Sequence, residues 1–262
     1  MEPVSYSIVI PAYNESERIA SSLEKISTFL ETQGWTAEVL VVNDGSRDDT
    51  AEVIRGYAAR YPYIRLIENP GNRGKGYSVR NGMLQATGDV VLFTDADLSA
   101  PITEAPKLFK EIENGADVAF GSRWLIAKMQ TERQSILRQI AGRMYNVLMR
   151  AVLGLKYKDT QCGFKAFDRK AVDTIFTRQH IERWGFDVEL LFLARRFGLK
   201  IVEVPVEWAH DDRSKINPIV DGVKMFGEML SIRWNSILGR YSEPHICQTV
   251  SAQAAPVAKI AK

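Results

Sequence analysis

Four short apolar runs constrain this chain more than any other feature. Each breaks off in a polar or glycine-rich cluster, and a helical pattern follows the first three. Ser7-Ile8-Val9-Ile10 ends at Pro11, and Ile19, Leu23, Ile26 and Leu30 then recur at three and four residues, the period of an amphipathic helix. Val39 to Val42 stops in Asn43-Asp44-Gly45-Ser46, after which Asp49 or Thr50 caps a helix carrying Val53, Ile54 and Tyr57. Ile64 to Ile67 leads into Gly71-Asn72-Arg73-Gly74-Lys75-Gly76 and a helix to about Ala86, and the fourth run is Val90 to Phe93. Strands alternating with helices predict an α/β fold with a mostly parallel central sheet. Such sheets bind ligands beyond the carboxyl ends of their strands. There the four loops carry Asn14-Glu15, Asp44, Lys75 and Asp95 with Asp97, so the polar residues converge on one rim.

After Val118-Ala119-Phe120 the pattern shifts. Ile136, Ile140, Met144, Val147 and Ala151 mark an amphipathic helix, Phe186 to Phe197 another, and Lys200 to Trp208 alternates like a strand. Asn217-Pro218 opens a last helix with cap and first-turn chemistry. It carries Ile219, Val223, Phe226, Leu230, Trp234 and Ile237, widened by Val220, Met225, Met229 and Ile232. That apolar face is broader than a one-sided surface helix needs. With 262 residues, 45% of them hydrophobic, one domain over 1–241 is expected, and a poorly ordered tail over 242–262.

A net charge of +2 gives no global demand for nucleic acid. Locally, however, Arg123, Lys128, Arg133, Arg138, Arg143, Arg150, Lys156 and Lys158 face the single acid Glu132. Cys162 and Cys247 lack metal-ligand spacing, which argues against a zinc or disulfide framework and suits a reducing cytosol. No basic-then-apolar leader is seen at the start, and no apolar run approaches the ~18 residues needed to cross a bilayer. Any membrane contact is therefore expected to be peripheral or through a partner.

Asp95 and Asp97 stand one residue apart where a buried strand ends. Two carboxylates so close need a positive neighbour, and Mg²⁺ or Mn²⁺ shared with a substrate diphosphate is one that fits. A turn or helix cap is the other reading of the pair taken alone. Asp44, at a second strand end, suits a nucleobase edge or ribose, or else its own turn. Lys75 lies among glycines that let backbone approach closely, and so suits a phosphate. Neither GxxxxGK[ST] nor GxGxxG is present, which disfavours an ordinary ATPase or dehydrogenase.

In order, SIVIPAYNE, VVNDGSRDDT, NRGKGYSVRNG, DVVLFTDADLS, FGSR, DTQCGFK and RWGFDVELL resemble the inverting family 2 glycosyltransferases. The likeness is strongest to those that glucosylate dolichyl or polyprenyl phosphate, and it spans roughly residues 6 to 215. It implies a GT-A fold with a Rossmann-like sheet, a donor half at about 6–122, an acceptor half at about 123–241, a nucleotide-diphosphosugar donor and a lipid-phosphate acceptor. Carried over, Pro11, Ala12, Tyr13 and Glu15 line the nucleoside pocket, Asp44 reads the base and Lys75 lies beside the nucleotide. Asp95 contacts ribose or metal, and Asp97 is the principal metal ligand. Asp187 and Glu189 meet sugar hydroxyls. Asp159 orients the acceptor phosphate or takes a residual proton, Arg123 and Arg138 bind that phosphate, and Arg213 and Lys215 sit in a mobile acceptor loop. Ser99 departs from the Gln of some related mannosyltransferases.

The expected reaction is transfer from UDP-glucose to polyprenyl or dolichyl phosphate with inversion, the metal stabilising the departing diphosphate. A GDP-mannose donor and a non-catalytic nucleotide-sugar binding protein remain the alternatives. The expected place is the cytoplasm, peripheral at the inner face of the membrane. There the basic stretch and the last helix meet a membrane surface or a membrane-protein partner. A homo-oligomer is also compatible with that apolar face.

Overall fold

A computed structural model describes residues 5–125, 147, 149, 152–209, 218–245 and 258–259. The first run becomes β1 (Ser5–Ala12), with Ile8, Val9 and Ile10 fully buried. A strand covered on both faces reads as a continuous apolar run, not an alternation. Then come α1 (Ile19–Gln33), β2 (Thr36–Asn43), α2 (Thr50–Arg60), β3 (Ile64–Glu68), α3 (Lys75–Gln85), β4 (Val90–Thr94), a short 3₁₀ turn (Ile102–Glu104), α4 (Ala105–Glu113) and β5 (Val118–Ser122). The second half adds β6 (Phe164–Asp168), α5 (Arg169–Phe176), α6 (Phe186–Arg196), β7 (Ile201–Pro205), α7 (Pro218–Ile237) and β8 (Ala258–Lys259).

The strand order is β3-β2-β1-β4-β6-β5-β7. All of these neighbours pair in parallel except β6, which is antiparallel to both β4 and β5. Helices α1, α2 and α4 cover one face of the sheet, packing on Ile8, Ile10, Val39 and Leu92. Helices α3, α5 and α6 cover the other, packing on Val9, Leu40, Phe93 and Phe120. The chain leaves β1 toward β2 and later returns across it to β4. The loops after β1 and β4 therefore diverge, and a crevice opens between them.

Helices α4 and α5 and strands β6 and β8 have no counterpart in the reading of the sequence. The register of β6 sets Phe164 opposite Thr94, so Gly163 lands against Asp95. Part of the expected unordered tail carries structure. Residues Ala258–Lys259 pair with Thr36 and Ala37 of β2, an edge left open because β3 joins β2 only from Val39. The last helix forms over the expected span, burying Met229 and Ile232 while Phe226, Leu230, Trp234 and Ile237 stay exposed. Among the described residues no helix is long and apolar enough to cross a membrane.

Candidate active site

Beyond the carboxyl ends of β1, β2 and β4 lies a cleft of about 410 Å³. It brings together Pro11, Ala12, Tyr13, Glu15, Asp44, Lys75, Asp95 and Asp97, the eight donor-side and metal residues expected from the first four loops. Arg18, Asn72, Ser78, Arg183 and Trp184 also line it, a placement the sequence motifs do not announce. Two non-glycine residues with left-handed backbone sit at its lip, Asn14 at φ 53° and Leu98 at φ 49°. Asparagine tolerates that region, whereas leucine there is strained. The Asn14 amide donates to Ser46 Oγ at 2.9 Å and its Oδ1 accepts from the Arg47 amide at 2.8 Å, which ties the first loop to the second. The Leu98 amide donates to the Asp95 carbonyl at 3.1 Å, closing the turn that holds both aspartates.

The charges in the cleft balance locally. Lys75 Nζ lies 2.5 Å from Asp95 Oδ1, an oxygen that is buried and accepts no well-aligned hydrogen bond. Burial works against the charge of Lys75, but Asp95, Asp187 and Asp97 hold its pKa above the ordinary lysine value. Asp97 is raised, first by burial and then by Asp95, although its Oδ1 accepts from the Ser99 amide at 2.9 Å. The arrangement is a pair of hard oxygen donors, one raised and one with a spare lone pair. Such donors suit Mg²⁺ or Mn²⁺ bound by one or two carboxylates together with substrate phosphates. Among the described residues no third His, Cys, Asp or Glu joins them.

Asp44 lines the cleft, but its carboxylate is largely spent on the glycine-rich loop. It accepts from Asn69 Nδ2 at 2.8 Å and from the Arg73 and Gly74 amides at 2.9 and 2.8 Å. Gly74 has φ 112°, and a Cβ there would meet the Glu182 carbonyl. Asp44 therefore shapes the turn that delivers Lys75, and little of its acceptor capacity is left for a base. Glu15 is likewise engaged, gripped by Arg18 through two hydrogen bonds of 2.7 Å.

On the acceptor side, Asp159 and Arg123 are each other's partners. Arg123 donates through Nε at 2.6 Å, Nη2 at 2.8 Å and its backbone amide at 3.0 Å. Burial would raise the Asp159 pKa, yet the Arg123 charge and hydrogen bonds outweigh it and leave the carboxylate below its usual value. A carboxylate so held is a weak proton acceptor, which counts against the second of the two roles expected of Asp159, taking a residual proton, and leaves the first, orienting the acceptor phosphate. Glu189 is a correction. It is fully buried, accepts from the His180 and Ile181 amides and from Tyr241 Oη at 3.0, 2.8 and 2.7 Å, and does not line the cleft. On a helix two residues apart point to nearly opposite sides, so Asp187 and Glu189 cannot share one ligand. Asp187 does stay near the cleft, bonded to the buried Lys165, which also donates to the Cys162 carbonyl at 2.6 Å. Trp184 contributes more than packing, since its ring lies 5.7 Å from Lys75 Nζ. Arg138, Arg213 and Lys215 lie outside the described residues.

A mostly parallel sheet with an Asp-x-Asp turn, a lysine and a glycine-rich loop meeting at its switch point is the arrangement of a glycosyltransferase, and the comparisons bear that out. The chain belongs to the glycosyl transferase family 2, which it matches over residues 7–176. It is 34% identical over 248 residues to a dolichyl-phosphate beta-glucosyltransferase of Homo sapiens, covering 90% of this chain and 76% of that one. A dolichyl-phosphate beta-glucosyltransferase of Trichomonas vaginalis is 38% identical over 226 residues, covering 82% and 67% respectively. Among solved structures, glucosyl-3-phosphoglycerate synthase from Mycobacterium tuberculosis in complex with Mn²⁺, UDP and glucosyl-3-phosphoglycerate matches with a TM-score of 0.62. The two are 21% identical, and the match covers 92% of this chain and 81% of that one. The same synthase has also been crystallised with Mg²⁺ and UDP, and matches at 0.63. These neighbours share the GT-A fold.

Proposed function

We propose that the protein transfers glucose from UDP-glucose to a dolichyl or polyprenyl phosphate with inversion at the anomeric carbon, using Mg²⁺ or Mn²⁺. The observation that carries this is the Asp95–Asp97 pair turned into the cleft with Lys75 against it; the named relatives supply the sugar and the lipid. Asp97 and Asp95 would hold the ion, which when bound stabilises the departing diphosphate as a Lewis acid. Lys75 stands where it can bind the same diphosphate. Trp184 and Tyr13 wall the cleft and keep water from the sugar. The acceptor is a phosphate oxygen, ionised near neutral pH, so the attack requires no strong base. That requirement fits an Asp159 that serves to hold the Arg123 guanidinium rigid. Arg123, Arg138, Arg213 and Lys215 supply the positive charge that receives the acceptor phosphate. A lipid acceptor also requires work at a membrane surface, here assigned to the cytoplasmic face.

The test is mass spectrometry of products from UDP-glucose and GDP-mannose, each offered with polyprenyl phosphate and Mn²⁺. A lipid-phosphate hexose formed from UDP-glucose is expected. Asp97→Asn, which keeps shape and removes charge, should lower transfer by about a hundredfold or more, since metal stabilisation of a leaving group contributes several kcal/mol. Mannose transfer in its place, no lipid-linked product, or an Asp97→Asn variant at full rate would each overturn the assignment.

A further inference from the structure

Behind the loop that carries Trp184 lies a second depression of about 1050 Å³, which the proposed reaction does not use. One wall is the outer stripe of α7. Leu230, Trp234 and Ile237, spaced by four and three residues, line it and remain 48%, 60% and 65% exposed. Phe226, one turn earlier, extends the same side. The rest is cationic. Arg233 and Arg240 are exposed and line the groove, with Arg80 deeper in it. Among the described residues the one acid that lines it, Glu182, is ion-paired with Arg80 at 3.1 Å and with Arg73 at 3.6 Å. The floor is closed by His180 and His245, hydrogen-bonded ring to ring at 3.2 Å.

An exposed apolar stripe bordered by arginines, with a tryptophan between, is the pattern of a surface that lies in a lipid interface. The charges select which lipid. We propose that this groove and the α7 stripe dock the protein on a bilayer rich in anionic phospholipid. Headgroup phosphates sit at Arg233 and Arg240, and Trp234 with its apolar neighbours reaches the acyl boundary. A second copy of the chain is a poorer occupant, because a two-fold contact through this face would set Arg233 and Arg240 against the same arginines. The location also has a use. Residues 180–184 form both rims, Glu182 on the groove and Arg183 and Trp184 on the cleft. The Glu182 carbonyl accepts from the Tyr77 amide of α3 at 3.0 Å. A protein seated by the groove would thus carry its donor cleft at the edge of the bilayer.

The inference rests on the proposed function only in that a lipid acceptor calls for a membrane, and the experiment separates the two. Full-length protein is floated with vesicles of phosphatidylglycerol and phosphatidylcholine, or of phosphatidylcholine alone, without polyprenyl phosphate. Binding of UDP with Mn²⁺ is measured on the same samples by calorimetry. At least tenfold tighter binding to the anionic vesicles is expected. Arg233→Gln with Arg240→Gln should weaken it by roughly 25-fold, at about fivefold for each basic residue near a charged surface. Arg233→Lys with Arg240→Lys should restore it, Trp234→Ser should weaken it, and UDP binding should stay unchanged in all three. Equal binding to both vesicle types would overturn the proposal. So would a double Gln variant that floats like the parent, or displacement of the protein from vesicles by millimolar inorganic phosphate at constant ionic strength, which would make the groove a simple ion site. Loss of UDP binding with flotation intact would count against the donor assignment and leave the docking surface standing.

Discussion

Replacing Asp159 by asparagine tests whether this residue is scaffold or base. Its two oxygens accept four hydrogen bonds, Oδ2 from the Arg123 amide and Nε, and Oδ1 from Arg123 Nη2 and the Gln161 amide. Whichever oxygen becomes an amide nitrogen, two donors lose their acceptor and face another donor, and the Arg123 cation loses its counter-charge. Removing one partner of a buried ion pair costs about 3–5 kcal/mol. A fifth of the Arg123 side chain reaches solvent (19%) and only 1% of Asp159 does, so water offsets part of the loss. The lower end, about 3 kcal/mol, is expected, and it should lower Tm by about 6–12 °C in a chain of this size. Because the folded pKa of Asp159 lies below its ordinary value, the pair's contribution is complete above the unfolded carboxylate pKa of about 3.9 and is lost as pH falls through the folded value. The difference between parent and variant should therefore be constant from pH 5 to 8 and shrink in acid. Urea denaturation at several pH values measures it. A cycle with Arg123→Met should show a coupling of at least about 1 kcal/mol. An Asp159→Asn protein that melts within a degree of the parent, with an additive cycle and abolished transfer, would refute the scaffold argument and reinstate the carboxylate as a free base.

Two further outcomes follow from the same geometry. Glu189 has its pKa pushed up to about 7, chiefly by burial, against hydrogen bonds from Tyr241, His180 and Ile181 that lower it. The folded protein therefore holds a proton that the unfolded chain releases, and stability falls as pH rises from about 4.5 toward 7. Burial lowers His180 to about 4, which gives the opposite slope below about pH 6.5, but Glu189→Gln leaves that term in place. The variant should gain on the parent across pH 5–7 by on the order of 2 kcal/mol in urea midpoints, and a pH-independent difference would sink the assignment. Gly163→Ala would drive a Cβ into the Asp95 carboxylate. UDP and Mn²⁺ affinity should fall at least about tenfold for a shift worth about 1.4 kcal/mol or more while circular dichroism is unchanged, and unaltered affinity would show that this loop does not position Asp95.

What could be read from the sequence was whatever a strand end fixes by itself. Pro11, Glu15, Asp44, Lys75, Asp95 and Asp97 each follow an apolar run, and parallel strands deliver such residues to one rim regardless of detail. Contacts that depend on which strands become neighbours could not be read. Arg123 and Asp159 are 36 residues apart, and their pairing exists only because the chain after Asp159 turns back as β6 beside β5. Phe164 to Asp168 is too short and too mixed to announce a strand, and nothing local signals that it runs against its neighbours. Glu189 was misjudged for a different reason. As a motif WGFDVE suggests one surface, whereas on α6 its two acids diverge, one to the cleft side and one into the core behind residues 180–182.

The antiparallel strand also explains how the two halves are held in register. Its register places Gly163 on Asp95, and Cys162, one residue back, is tied to Lys165, two residues forward. Lys165 is fully buried and binds both the Cys162 carbonyl and Asp187. Asp187 and Asp95 in turn both hold Lys75 in its charged form. Contacts run from Asp95 through Gly163, Cys162 and Lys165 to Asp187, and the charge of Asp187 acts on Lys75, which pairs with Asp95. Opposite charges alternate along this path, so no ionised group is buried alone. Glycine at 163 lets the loop approach the carboxylate, and an ammonium beside Asp187 lets α6 begin at the cleft. Of these residues only Asp95 and Lys75 line the cleft. The loop over 159–163, proposed for the acceptor, is thus built onto the proposed donor cleft, and the separation between them is set by backbone pairing.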